Sequence, residues 1–199
     1  MKKSKLLMII GSFLLLVLFI APLWNITLEA PQYPQAIGMN IYITKIADAN
    51  PNDIKNINLM NHYVGMKKIP TEMTEFKVFP IVIGGMALLG ILIGFKANYK
   101  WYLIWFVVML VLGVAGMYDF YLWEYNYGTN LSAKAAIKFT NSDGTPMAYQ
   151  PPLFGTKHIL NFTAHSYPRL GAYALFLGMF LTVLAYFKGA KEAKTKALK

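Results

Sequence analysis

Four apolar runs constrain this chain more than any other feature: Leu6–Leu23, Val78–Phe95, Trp101–Leu122 and Leu170–Phe187. Each is close to the roughly 20 residues that an α-helix needs to cross the hydrocarbon core of a bilayer. Lipid offers the backbone no water to bond, so such runs fold as helices whose N–H and C=O groups pair internally. The lengths predict an all-α membrane protein with four transmembrane helices. Composition agrees, because 56% of the residues are hydrophobic and only 14% charged, far from the balance of a soluble domain.

The rest of the chain divides around these runs. Residues 1–24 form an N-terminal transmembrane anchor, retained because the run is longer than a signal-peptide core and closes in Ala21-Pro-Leu-Trp24 without a small-x-small cleavage site. The link Lys96–Lys100 is too short for a domain, which makes 78–122 a transmembrane hairpin. Residues 25–77 and 123–169 are two outer loops, expected to pack together as a small mixed cap. The fourth helix is 170–187, and 188–199 is a basic tail.

Charge sets the orientation. The amino-terminal flank, the hairpin link and the tail carry ten of the 19 basic residues and one of the nine acidic ones, Glu192, whereas the two long loops are nearly balanced. Lysine and arginine collect on the cytoplasmic flanks of membrane helices. The chain is therefore expected to be a multi-pass protein of a bacterial inner membrane with both termini cytoplasmic. Both loops, and with them His62, His158 and His165, then lie outside. The net charge of +10 reads as membrane flank and not as a nucleic-acid surface, since the basic residues form no patch interleaved with aromatics. The absence of cysteine excludes disulfides, thiolate metal sites and cysteine nucleophiles.

Local patterns fill in the loops. Ile37 to Ile46 alternates apolar and polar residues as a half-buried strand does. Asp48–Asp53 has turn chemistry, and Ile54–Met66 reads as a short helix that Gly65 ends. Thr156–Tyr167 reads as a helix with His158, Asn161 and His165 on one stripe. Gly90 and Gly94 have the small-xxx-small spacing that lets helices approach closely.

Two places carry chemistry. Met60-Asn-His62-Tyr-Val-Gly-Met66 offers two thioethers and an imidazole within one short segment, and soft ligands of that kind select Cu(I) over hard cations. Cu(I) at His62 with Met60 or Met66 is the one cofactor the residues suggest; packing is the plain alternative. Asp119 lies about one turn inside the interface marked by Trp123 and Tyr125, where a carboxylate costs roughly 2.5–3.5 kcal/mol unless it is partnered. Arg169 and His165 are its expected partners. Asp119, Glu124, His158 and His165 are taken as supporting or buried polar residues. Asp119 and Glu124 diverge by about 140° on a helix, which argues against a carboxylate dyad. No phosphate-binding loop, nucleophile elbow or zinc-protease motif occurs, so no enzyme is expected.

Three segments, Asn58–Lys67, Asp119–Gly128 and Tyr149–His165, together resemble a family of small four-helix bacterial membrane proteins encoded beside nitrous-oxide reductase and its copper chaperone. The resemblance runs over nearly the whole length. It implies a periplasmic outer face and an accessory role in copper delivery or maturation of a periplasmic copper enzyme. That enzyme or its copper chaperone would be the partner, besides the lipid bilayer. The residues alone leave an alternative, a structural or interaction subunit of a membrane complex with no bound ligand.

Overall fold

The computed structural model describes residues 2–96, 98–141 and 143–197. Among these, three helices are long and apolar enough to cross a membrane: α3, Glu75–Lys96, α4, Lys100–Thr129, and α5, Leu170–Ala197. The first apolar run behaves differently. It is α-helical only over α1, Lys3–Phe13, and tightens into a 3-10 segment over Leu14–Phe19. Pro22, which lacks an N–H and restricts the residue before it, prevents any continuation. The expectation of four transmembrane helices is thus corrected to three candidate spans, with α1 packed among them.

Burial follows this division. Met8, Leu15 and Leu18 are almost fully enclosed, and so are the small residues Ser4, Gly11 and Ser12. Small residues let α1 lie against two neighbours at once. A Cβ on Gly11 would come within 2.7 Å of the Gly178 carbonyl on α5, and one on Gly94 of α3 within 2.6 Å of the Ile9 side chain. Gly90, the other half of the small-xxx-small pair, faces Ser12. Trp105 of α4 completes the core by donating its indole N–H to the Met86 carbonyl of α3 at 2.9 Å.

Polar contacts tie one end of these helices together. Ser4 donates to Glu192 at 2.7 Å, and Lys5 donates to the Phe95 carbonyl at 2.6 Å. The start of α1, the end of α3 and the end of α5 therefore share one end of the molecule, with their lysines. α5 continues into the basic tail as far as Ala197.

A five-stranded antiparallel sheet forms the opposite end, so the chain is not all-α. The strands are β1 (Trp24–Glu29), β2 (Ile37–Ile41), β3 (Ile46–Asp48), β4 (Gly155–Ile159) and β5 (Phe162–Pro168), in the order β3-β2-β1-β5-β4. The central pairing, β1 with β5, joins the first loop to the second, with Asn25 opposite Tyr167 and Thr27 opposite His165. Two further corrections follow. The Ile37–Ile46 segment is a hairpin and not one strand, turning where Tyr42 bonds to Lys45. Thr156–Tyr167 is a β-hairpin and not a helix. Its inward residues Phe162, Ala164 and Ser166 alternate with Thr163, His165 and Tyr167, a period-2 pattern of low contrast.

The short helix lies over the sheet as α2, Asp53–Val64, and ends at Gly65 with φ 82°, the left-handed conformation that glycine adopts without penalty. Its start is held by two aspartates. Asp48 accepts from the Ile54 N–H at 2.6 Å, and the buried Asp53 accepts from the N–H groups of Gly38 and Asn50 at 2.8 and 2.9 Å.

Candidate functional site

Three layers enclose a cavity of about 80 Å³ in the cap. The inner face of the sheet supplies Ile26, Leu28 and Met39; α2 supplies Ile57, Met60 and Asn61; the end of α4 supplies Trp123, Glu124 and Tyr127. The period of each element explains the choice. Ile26 and Leu28 are alternate residues of β1, Ile57, Met60, Asn61 and Val64 fall on one helical stripe, and Trp123, Glu124 and Tyr127 fall on another. Gly128 closes the far wall. Its carbonyl accepts from the Tyr149 N–H at 2.9 Å, and a Cβ there would strike the Gln150 backbone. This close approach is what places Tyr149 and Pro151 in the lining.

Glu124 dominates the site. It is 0% exposed, and neither carboxylate oxygen has a hydrogen-bond partner among the described residues. Removal from water holds its pKa up at about 8, against an ordinary value of 4.5; the charge of Lys157 opposes the rise only in part. Lys157 is itself exposed and bonds the Gln150 carbonyl at 3.0 Å. Two phenols share the enclosure. The Tyr127 hydroxyl is buried without a partner, and its pKa is pushed up to about 12 by burial. The Tyr149 hydroxyl faces the Phe139 backbone without forming a hydrogen bond of good geometry.

The residues expected to carry chemistry separate into two groups. Met60 and Met66 both line the cavity, with Met39 beside them. His62 is exposed on α2, its ring 6.1 Å from that of Tyr63. Two residues beyond Met60, it is turned about 200° around the helix from the cavity. Asp119 is half-buried on α4 and makes no hydrogen bond or ion pair among the described residues. Its expected partners are engaged elsewhere: Arg169 donates to the Asn25 side chain at 3.1 Å, and His165 lies 3.4 Å from Glu29. Of the two acids on α4, Glu124 is the one the fold encloses.

His158 and His165 lie on the other face of the sheet, away from the cavity. Each sits 2.9 Å from a cross-strand threonine, His158 from Thr163 and His165 from Thr156. They form part of a polar ladder that ties β4 and β5 together, and through Glu29 reach β1. Among the described residues no three histidine, aspartate or glutamate side chains converge as a metal site would need. Three methionines, Met39, Met60 and Met66, line the same cavity as the Glu124 carboxyl, and the Met60 sulfur accepts from the Gln32 side-chain amide at 3.7 Å.

Met39, Asn61, Tyr127 and Tyr149 belong to the cavity and were not singled out by motif or spacing. A usable signal was present for α4. Phe120, Trp123, Glu124 and Tyr127 continue one helical face past the end of the apolar run, so the acid sits on a buried stripe and not on a solvated one. Comparisons with protein families, with curated proteins and with solved structures give no match.

Proposed function

We propose that this chain is an accessory protein of a bacterial inner membrane that supports a periplasmic copper enzyme, in copper delivery or maturation of the nitrous-oxide reductase type. It performs no catalysis of its own. In this reading the lysine-rich end, with both termini, lies in the cytoplasm and the sheet-and-helix cap stands in the periplasm, where it meets the enzyme or its copper chaperone. The observation that carries the reading is the cavity. Three methionines, Met39, Met60 and Met66, line one small cavity together with a buried carboxyl that has no partner among the described residues. Thioethers are ligands for Cu(I) and poor ligands for hard cations.

The test is anaerobic titration of the purified, detergent-solubilised protein with Cu(I) against a chromophoric competitor. About one ion per chain is expected. Exchange of both Met60 and Met66 for leucine, which keeps volume and removes sulfur, should abolish binding, whereas His62→Ala should leave it nearly unchanged. The exposure of His62 favours a second reading, an interaction subunit with no ligand, because it removes the imidazole from the soft-ligand set. Wild-type protein that binds no Cu(I) would establish that second reading in its place.

A further inference from the structure

We propose that Glu124 is the counter-ion of the cavity and restricts it to soft cations of single charge. The proposal rests on the reading of the thioether cavity as a metal site and adds the residue that sets its selectivity. The argument begins from the unsatisfied groups. A carboxyl with 0% exposure and two unbonded oxygens loses its hydration and gains nothing from the protein in return. Buried water could serve it only with several polar partners, and the walls are apolar apart from Asn61 and the two phenols. Asn61 uses one of its two amide N–H groups on the Lys67 carbonyl at 3.1 Å.

A cation answers the carboxyl directly, because it takes the place of the acid's proton. Charge then decides which cation. One carboxylate neutralises one positive charge. A divalent ion in the same enclosure would leave an uncompensated charge out of water, and among the described residues no second acid lines the cavity to offset it. Lys157, whose charge acts on Glu124 from outside, is exposed and held by the Gln150 carbonyl. Among ions of single charge, the thioethers discriminate against sodium and potassium, which prefer oxygen ligands. Cu(I) is the physiological ion of this class, and Ag(I) is its air-stable equivalent.

Equilibrium dialysis of the full-length protein in detergent with Ag(I), and separately with Zn(II), tests the inference. Wild type should bind Ag(I) and bind Zn(II) much more weakly. Glu124→Gln keeps the shape and removes the charge; it should weaken Ag(I) binding on the order of a hundredfold, as loss of one partner of a buried charge pair does. Lys157→Gln touches no core residue, and it should tighten Ag(I) binding about two- to fivefold, the range of an exposed charge interaction. If Ag(I) binds and is lost with the methionines while Glu124→Gln and Lys157→Gln change nothing, the counter-ion role is overturned and the soft-metal reading stands. If wild type binds no Ag(I), both fall together. If Zn(II) binds as tightly as Ag(I), the claim of charge selectivity is wrong.

Discussion

The metal-free protein should lose stability as the pH rises from about 4.5 to about 8, and Glu124→Gln should remove most of that loss. The folded state holds the Glu124 carboxyl at a pKa of about 8, against 4.5 in the ordinary solvated state. Between those values the folded chain binds a proton that the unfolded chain has given up. Stability therefore falls with rising pH through this window; the contribution is fully present below pH 4.5 and lost once the folded pKa is passed. A separation of about 3.5 pH units, at about 1.36 kcal/mol per unit, amounts to a loss on the order of 5 kcal/mol.

For a chain of this size each kcal/mol corresponds to roughly 2–4 °C in melting temperature, so the wild type should melt on the order of 10 °C lower at pH 8 than at pH 5. Differential scanning fluorimetry in detergent with a metal chelator present measures it. The glutamine variant keeps every other titratable group of the chain, so the difference between the two curves belongs to Glu124. Glutamine is neutral in both states and should give a nearly flat curve. Parallel curves would refute the reasoning, because they would mean that the carboxyl is solvated or paired in the folded protein.

Three other outcomes follow from the packing and the topology. Gly178→Ala places a methyl against the Gly11 carbonyl and should cost about 1–3 kcal/mol of stability; Gly113→Ala on α4, with nothing within 4 Å, should be neutral or slightly stabilising in the same melting assay. Asp53→Ala removes the acceptor of the Gly38 and Asn50 N–H groups and should cost about 2–4 kcal/mol, seen as faster amide exchange in α2 and β2. Reporter fusions at residues 50 and 145 should read periplasmic and one at residue 196 cytoplasmic, and a cytoplasmic signal from either loop would overturn the proposed orientation.

How much of the fold could be read from the sequence depended on the range of the interactions involved. The spans α3, α4 and α5 follow from apolar length, and α2 follows from its stripe and its terminal glycine, because these signals are local. The first apolar run is as hydrophobic as the others, yet it departs from α geometry at Leu14. Hydropathy reports apolarity and not helical continuity, so it could not separate α1 from a span. The sheet was hidden for a different reason. Its central ladder pairs Trp24–Glu29 with Thr163–Pro168, segments from different loops, and no pattern inside either loop encodes that pairing. In β5 the inward positions include Ala164 and Ser166, too weakly apolar to announce a strand, and the histidine spacing fitted a helix equally well.

The site was legible in its residue types but not in its geometry. Met60 and Met66, the two thioethers of the segment, line the cavity, whereas His62 between them faces solvent, because adjacent helical residues point about 100° apart. For the two acids, depth along the apolar run favoured Asp119, which lies inside it, over Glu124, which lies just beyond its end. The cap reverses that order. It extends the buried environment past the end of the run, so that Asp119 remains half-exposed while Glu124 is covered by α2, the sheet and the Tyr149–Pro151 segment. A hydropathy profile places the water boundary at Trp123 because it has no term for protein that folds back from the far end of the chain. The acid just beyond that boundary is therefore where local reading is least able to anticipate burial.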